Sequence, residues 1–589
     1  MHKFEVWAPL AHSLAVRTGN SSHLMEQADG DWWRAEVEDA KAGTDYSFVV
    51  DDGDAVPDPR SAWQPEGVNG PSRVVDHSMF AWTDQNWRAR PLSSAIIYEL
   101  HVGTFTAEGT FKSAMERLDY LAELGITHVE VMPLNEFAGP WGWGYDGVDL
   151  YAPHHAYGTS DDLKKLIDTC HAKGLAVLLD VVYNHFGPAG NYLGGFGPYL
   201  TEAYKTPWGA AVNLDHEGSN EVRRFFIGNA LMWLRDYHFD GLRLDAVHAF
   251  MDRSAVHFLE QLACEVDALA AQRGRHLVLI AESDLNDPRM VRSREAHGYG
   301  MNAQWNDEFH HALHSVLTGE QKGYYADFGL LAHLAKSLKR AYVYDGNYSP
   351  HRERVHGRPI AELPGDRFVV FSQNHDQIGN RARGERLSHL VSLGRQKIAA
   401  ALVLTSPFVP MLFQGEEFGA SSPFLYFSQH DPELGAKVSE GRKNEFGAFG
   451  WDPAEVPDPQ EASTFERSKL DWNELREGPH AALLDWYKRL IALRRASGAL
   501  TDSRLHVLDV KFDERAKWLV VNRDGIEIAC NLGADRQAVP IRGTGKNVLP
   551  SAEGWQLRPG LIELPADSVA ILSEEPLSTE QQLRQYATG

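Results

Sequence analysis

Between residues 95 and 419, short apolar segments alternate eight times with longer amphipathic ones. Strands of a parallel sheet are buried on both faces and appear as short runs of Val, Ile and Leu, whereas helices need longer periodic segments. Eight such strand-helix units predict an α/β chain folded as a (β/α)8 barrel with enlarged loops. The predicted strands cover residues 95–105, 128–134, 175–185, 241–247, 276–284, 301–307, 367–376 and 410–419.

The segments on both sides of this alternation have a different pattern. Residues 1 to about 80 contain short strand-like segments separated by Gly, Asn, Asp and Ser, which is typical of a small β-sandwich. After residue 503 the helical pattern stops and strand-like segments return. We therefore predict three domains: an N-terminal carbohydrate-binding-like β-sandwich with its linker (1–90), a catalytic barrel (91–500), and a C-terminal antiparallel β-domain with a tail (501–589).

The composition excludes several classes of partner and site. The 589 residues carry a formal net charge of -24, which disfavours nucleic acid because phosphate contacts need clustered Lys and Arg. The three cysteines, Cys170, Cys264 and Cys530, have no CxxC spacing, so we expect buried thiols rather than disulfides or a thiolate metal site. No leader pattern and no run of about 20 apolar residues occurs, from which we expect a cytoplasmic protein without a membrane partner.

Polar side chains gather at the C-terminal ends of several predicted strands, and these ends form the mouth of a (β/α)8 barrel, where active sites are built. A single acidic residue at a strand end is more often a helix cap or a solvated group than a catalyst, but several strands that converge are hard to explain by packing. Asn306, Asp307, Glu416 and Glu417 stay open between a structural and a functional role. The residues that converge are Asp180, Asn184, His185, Arg243, Asp245, Glu282, His375 and Asp376.

The chemistry of glycoside hydrolysis fits these residues. Arg243 and Asp245 are two positions apart on one strand and so point the same way, and the guanidinium favours the ionised carboxylate that a nucleophile requires. Glu282 follows an apolar run, and apolar surroundings favour the protonated form that a general acid requires. An acid and a nucleophile together predict a retaining glycosidase, with Asp376 as a third carboxylate.

Four motifs on these strands resemble the signature regions of the α-amylase family, glycoside hydrolase family 13. They are "DVVYNH" (180–185), "GLRLDAVH" (241–248), "LIAESD" (279–284) and "FSQNHD" (371–376), in the order that the family has them. The resemblance implies that Asp245 is the nucleophile, Glu282 the general acid/base and Asp376 the stabiliser of the transition state. It further implies an α-glucan substrate and no cofactor. The residues implied or expected to bind substrate are Arg243, His185, His375, Tyr145, Asp146, Asp180, His248 and Trp141.

Two alternatives to a hydrolase stay open. A glycogen branching enzyme would use the same three carboxylates and differ only in passing the sugar to a hydroxyl instead of water. A barrel that merely binds glucan is disfavoured, because Asp245, Glu282 and Asp376 are all present. No calcium-site signature is evident, so we expect no metal. The sequence does not indicate the oligomeric state.

Overall fold

The computed structural model describes residues 1–448 and 453–575. At its centre eight parallel strands close into a barrel, in which neighbours in the chain are neighbours in space. This confirms the predicted fold class, and each strand overlaps one of the eight predicted segments. The strands are β1 (Ile97–Leu100), β2 (His128–Val131), β3 (Ala176–Val181), β4 (Gly241–Leu244), β5 (Val278–Ala281), β6 (Ala303–Trp305), β7 (Phe368–Val370) and β8 (Val409–Phe413).

Successive side chains along each strand point alternately into the barrel and out toward the helices. Leu178, Ile280 and Val369 belong to a buried cluster that fills the barrel. Leu242 and Leu244 on β4 belong instead to the larger cluster between barrel and helices. Side chains alternate, so Arg243, between these two leucines, points into the barrel.

Helices surround the barrel and bury their apolar faces against it. The helix after β2 begins with a reciprocal cap between Thr159 and Asp162, and the helix after β6 begins at a cap formed by Asn306. Such caps satisfy backbone N–H groups in the first turn. The longer helices are Leu118–Leu124, Ser160–Ala172, Ser219–Asp236, Phe258–Arg273, Asp307–Thr318, Leu331–Arg340, Leu393–Leu404, Pro432–Ala448, Ala462–Arg467 and Gly478–Ala496.

Antiparallel strands precede the barrel. They form a three-stranded and a five-stranded sheet, and the region contacts the barrel loops through aromatic rings, with Trp7 against Tyr199 (5.5 Å between centroids) and Phe48 against Phe196 (6.2 Å). These contacts place the sheets beside the loop that follows β3. The strands are His2–Trp7, Leu14–Thr18, Ser21–Leu24, Glu26–Gln27, Trp32–Val37, Asp45–Val50, Ala55–Val56 and Ser72–Arg73.

Antiparallel strands also follow the barrel, in a five-stranded and a three-stranded sheet with a core of their own. Arg523 joins this region to the barrel by donating hydrogen bonds to the carbonyls of Thr405 (2.6 Å) and Ser406 (2.8 Å). The strands are Asp509–Asp513, Trp518–Arg523, Ile526–Asn531, Gln537–Pro540, Asn547–Pro550, Gln556–Arg558, Leu561–Leu564 and Ser568–Ser573. Residues 576–589 of the predicted C-terminal tail lie outside the described residues.

The enlarged loops at the mouth contain strand pairs of their own. They are Asn135–Glu136 with Asp149–Pro153, Leu200–Thr206 with Gly209–Val212, and Asn347–Ser349 with Arg354–His356. None of the helices in the described part of the chain is long and apolar enough to cross a membrane. Cys170 and Cys530 are buried thiols as expected, but the expectation was wrong for Cys264, which is exposed because it lies on the outer face of helix Phe258–Arg273.

Candidate active site

The three predicted catalytic carboxylates lie at the same end of the barrel. Asp245 directly follows β4, Glu282 directly follows β5, and Asp376 lies in the short helix His375–Gly379 after β7. Their side chains become progressively more open, with exposed fractions of 11%, 17% and 38%. The mouth therefore presents three carboxylates to solvent at different depths.

Arg243 organises the deepest part of this site. Its guanidinium is fully buried, and Nη1 donates to both oxygens of Asp180 (3.0 and 2.8 Å) and to Oδ1 of Asp245 (2.9 Å). Nη2 lies 3.4 Å from Oε2 of Glu282. One cation thus touches the supporting carboxylate and both members of the predicted nucleophile and acid pair, and it keeps their mutual repulsion low.

The carboxylate of Asp245 is held at both oxygens. Arg243 donates to Oδ1, and the side-chain amide of Asn184 donates to Oδ2 at 2.9 Å. The two hydrogen bonds fix the orientation of the carboxylate. The two-residue spacing predicted that Arg243 and Asp245 would share a side of the strand, and the 2.9 Å contact confirms this.

The backbone after Asp245 bends sharply toward Glu282. Ala246 has left-handed dihedral angles (φ 41°, ψ 48°), which are uncommon for a residue with a side chain. In this conformation its N–H donates to Oε2 of Glu282 at 2.6 Å. The surroundings of Glu282 are therefore more polar than its apolar strand predicted.

A chain of hydrogen bonds joins Glu99 on β1 to Asp180 on β3. Oε1 of Glu99 lies 2.5 Å from Nδ1 of His375, and Nε2 of His375 lies 2.7 Å from the hydroxyl of Tyr145. That hydroxyl donates to Oδ2 of Asp180 at 2.6 Å, and Asp180 in turn binds Arg243. These hydrogen bonds therefore connect the two sides of the mouth through an imidazole and a phenol hydroxyl.

The protonation state of His375 sets the direction of each hydrogen bond between Glu99 and Asp180. Burial opposes the charged imidazole, but the charges of Asp376 and Glu99 and the hydrogen bond to Glu99 prevail and raise the pKa of His375 to about 9. At neutral pH both ring nitrogens then carry protons, so Nδ1 donates to Glu99 and Nε2 donates to Tyr145. Tyr145 is left to donate its own proton to Asp180.

Tryptophan rings stack against two of the predicted substrate-binding residues. The guanidinium of Arg243 stacks over Trp305 on β6, 4.0 Å from the ring centroid, and the ring of His185 stacks on Trp208 at 4.7 Å and 4°. Sequence reasoning missed both tryptophans and Glu99. Glu99 could have been found, because it is the single charged residue within the buried strand β1; nothing near either tryptophan in the sequence indicates its partner.

The sequence did not decide between a structural and a functional role for Asp307. Its carboxyl lies close enough to the carboxylates of the site for their charges to shift its pKa. Burial and the negative charges of Glu282, Asp376 and Asp284 raise the pKa of Asp307 to about 8. Its carboxyl is thus neutral at pH 7 and adds no net charge to the carboxylates around it. Nearby, Asn380 donates to Oδ1 of Asp376 at 3.1 Å and fixes that side chain.

Three predicted substrate residues lie apart from this network. Trp141 stacks against Phe465, with 6.0 Å between the ring centroids. Oδ2 of Asp146 lies 3.6 Å from Nε2 of His430. Nδ1 of His248 has no hydrogen-bond partner among the described residues. Their contact with substrate stays a prediction.

The sequence is similar to proteins of one named group along nearly its whole length. Residues 58–196 match the family model described as the alpha-amylase catalytic domain. The malto-oligosyltrehalose trehalohydrolase of Rhizobium sp. (strain M-11) is 47% identical over 585 residues, covering 97% of this chain and 98% of the relative. A crystal structure of a Salmonella typhimurium protein provisionally named alpha amylase is 38% identical, with a TM-score of 0.90 and 97% of each chain covered.

A glycogen branching enzyme is similar over a shorter part. The 1,4-alpha-glucan branching enzyme GlgB of Corynebacterium jeikeium is 31% identical over 399 residues, covering 60% of this chain and 55% of the relative. Both the identity and the coverage are lower than for the trehalohydrolase. The likeness to GlgB therefore extends to part of the chain only.

Proposed function

Because this chain belongs to the malto-oligosyltrehalose trehalohydrolase family, we propose that it hydrolyses the α-1,4-glucosidic bond next to the terminal trehalose of maltooligosyltrehalose. The products are trehalose and a maltooligosaccharide, as for a 4-α-D-((1→4)-α-D-glucano)trehalose trehalohydrolase. The chain is a glycosyl hydrolase of the α-amylase type. The observation that carries the chemistry is the single guanidinium of Arg243, which contacts Asp245 and Glu282 at once.

In the first step Glu282 gives its proton to the glycosidic oxygen as the bond to the anomeric carbon breaks. Asp245 forms a covalent bond to the same carbon through a carboxylate oxygen, so positive charge on the sugar ring is relieved. The hydrogen bonds from Arg243 and Asn184 hold the carboxylate in a fixed orientation for this attack. The departing group is the trehalose unit.

In the second step the roles of Glu282 reverse. Its carboxylate, now unprotonated, takes a proton from water, and the water oxygen attacks the anomeric carbon as the bond to Asp245 breaks. The configuration at that carbon is therefore retained. Contacts from Ala246 and Arg243 hold the Glu282 carboxyl in place for this step.

The Glu99 to Asp180 chain serves to position the sugar at the cleavage point. Tyr145 stacks on the buried ring of His375, with 5.0 Å between the ring centroids, and this contact helps to hold the tyrosine ring at the mouth. Asp376 has the most exposed side chain of the three carboxylates and is free to accept bonds from sugar hydroxyls. These hydroxyl contacts would favour the distorted ring of the transition state.

His185, His248, Trp141 and Asp146 are proposed to contact the remaining sugars. His185 is supported by its stack on Trp208, which holds the ring at the mouth. Trp141 and Asp146 lie on the loop between residues 137 and 148, which also carries Tyr145. In the cell the enzyme would act on the product of maltooligosyltrehalose synthase.

The alternative is transfer of the covalent sugar to another glucan, as in a branching enzyme. The longer and stronger match to trehalohydrolases supports hydrolysis over transfer. A barrel that binds glucan without reacting is disfavoured by the complete set of three carboxylates and their supporting bonds.

Incubation with maltotriosyltrehalose and, separately, with maltopentaose tests the proposal, because both contain five glucose units. We expect free trehalose and maltotriose from the first and little reaction with the second, by chromatography of the products. Equal cleavage of both substrates would contradict the assigned specificity. New α-1,6 bonds, detected with a debranching enzyme, would indicate the transferase instead.

A further inference from the structure

Two histidines and a glutamate converge at the base of the loop between residues 137 and 148. Glu136 ends the first strand of the pair Asn135–Glu136 with Asp149–Pro153, and His154 and His155 directly follow the second strand. One ligand atom from each of the three side chains lies within 4.8 Å of the others. The loop that they close carries Trp141, Trp143 and Tyr145.

The distances within the cluster suit a small cation. Nδ1 of His155 lies 2.8 Å and Nδ1 of His154 lies 3.3 Å from the same oxygen, Oε1 of Glu136. Ligands about 2.0 to 2.2 Å from a tetrahedral metal are separated by slightly more than 3 Å, so small side-chain movements would complete the geometry. Glu136 and His154 have no exposed side-chain surface, whereas 29% of the His155 side chain is exposed.

An ion pair explains only part of this arrangement. The backbone N–H and the ring of His155 both bind Glu136, which satisfies those two residues without a metal. His154 is different, because neither of its buried ring nitrogens has a hydrogen-bond partner among the described residues. A buried ring nitrogen without a partner is costly, and a metal at Nδ1 would give that one of the two nitrogens a partner.

A neighbouring carboxylate and a path from solvent add to this. Asp149, opposite Glu136 in the strand pair, also has a buried oxygen, Oδ2, that accepts no hydrogen bond in the described structure. His155 lines a cleft of about 510 Å³ together with Glu66 and Asp431, whose charges attract cations. A metal ion can therefore approach from the side of His155.

We propose that Glu136, His154 and His155 bind one divalent transition metal ion, of which Zn²⁺ fits the donors best. Two imidazoles and one carboxylate are a ligand set that zinc uses, and the absence of thiolates disfavours softer ions. The ligands are distinct from the three carboxylates proposed to be catalytic, and the metal would join the two strands at the base of the loop that carries Tyr145, with its fourth position left to water. This revises the expectation from the sequence that the chain binds no metal.

The test is titration of the full-length, chelator-treated protein with zinc chloride, followed by calorimetry and by measurement of bound metal after gel filtration. We expect one Zn²⁺ per chain. His155→Ala, in which the partly exposed ligand is lost, should weaken binding by about 100-fold or more, since even partners outside the ligand set are worth 10- to 100-fold. His216→Ala removes a histidine elsewhere and should bind as the wild type does.

His154→Phe keeps the stack on Phe137, which lies 3.7 Å from His154 between ring centroids, and should also abolish tight binding. If that variant fails to fold, His155→Ala alone decides. Cobalt chloride gives a second readout: Co²⁺ bound to the wild type should show the strong visible absorption of a four- or five-coordinate ion, and His155→Ala should not. Failure of the wild type to bind zinc, or binding that His155→Ala leaves unchanged, would overturn the proposal without bearing on substrate hydrolysis.

Discussion

Two sets of acidic residues follow barrel strands, and they have opposite surroundings. Asp245 follows β4 and binds a guanidinium and an amide, whereas Glu416 follows β8 and accepts bonds from the hydroxyls of Ser372 (2.6 Å) and Tyr487 (2.8 Å). Its neighbour Glu417 accepts from Tyr120 at 2.8 Å. The residue type and the place in the barrel are alike, but the hydrogen-bond partners are not.

The two sets also differ in how they are charged and exposed. Glu416 and Glu417 are buried at 3% and 0% exposure, and burial raises the pKa of each to about 7. The side chains of Asp245 and Glu282 keep 11% and 17% of their surface open. The carboxylates proposed to react therefore differ from Glu416 and Glu417 in their direct contact with a guanidinium and in their opening to solvent.

The largest loss of activity is expected from a substitution at Asp245, and it tests the difference between the two sets of acidic residues. Asp245→Asn removes the nucleophile but keeps its shape, so we expect kcat to fall by about four orders of magnitude or more while the thermal unfolding midpoint changes little. Trehalose release from maltotriosyltrehalose and circular dichroism measure the two effects. Substantial remaining activity would remove Asp245 from the proposed role.

Glu282→Gln should have the next largest effect. Loss of the general acid is worth about 10²- to 10⁴-fold in kcat for a leaving group that needs a proton. An α-maltosyl fluoride substrate, whose fluoride leaves without protonation, should lose much less in its first step. Equal losses on both substrates would contradict the acid role.

Glu99→Gln tests the charged chain through its pH dependence. The pKa of His375 is raised to about 9 from an ordinary 6.5, so this interaction stabilises the fold fully below pH 6.5 and is lost as pH rises through 9. The whole pKa shift, to which the charge of Asp376 contributes more than that of Glu99, corresponds to about 3 kcal/mol, and Glu99→Gln removes a part of it. We expect the wild type to unfold at a higher temperature than Glu99→Gln at pH 6, with the gap shrinking toward pH 9.5; a constant gap would contradict the assignment.

Glu416→Gln should have the smallest effect on trehalose release of the four substitutions, together with a pH-dependent change in stability. A carboxyl whose pKa is raised to about 7 contributes stability below its ordinary 4.5 that is lost as pH rises through 7, whereas glutamine cannot ionise. The stability of the variant relative to the wild type should therefore improve between pH 5 and 8. Trehalose release should stay within about twofold, as for changes away from a reactive site; a loss as large as for Glu282→Gln would end the distinction between the two sets.

The barrel could be predicted because each strand is a short apolar segment with its own signal. The three carboxylates could be predicted for a related reason, since each follows such a segment and strand ends meet at one rim. Asp180, His185 and Arg243 were found in the same way. Local sequence was sufficient wherever the fold turns a position in the chain directly into a position at the mouth.

The remaining features depend on contacts between distant segments. Trp208 reaches His185 only because its strand pair folds back over the mouth, and Trp305 supports Arg243 across the barrel interior. Trp141 was expected to bind sugar because aromatic rings on a Gly-rich loop suit stacking, and nothing in the sequence indicated that this ring also stacks on Phe465. Aromatic composition does not indicate which way a loop side chain will point.

The backbone at Ala246 also limits which sequences this site can accept. A φ of 41° is open to glycine, costs alanine a modest strain, and is severely disfavoured for valine, isoleucine or threonine, whose branched Cβ crowds the backbone. In a library with every amino acid at position 246, glycine and alanine should dominate among the survivors although the side chain takes no part in the reaction. The hydrogen bond from the backbone of residue 246 to Glu282 would then limit the size of the side chain at position 246.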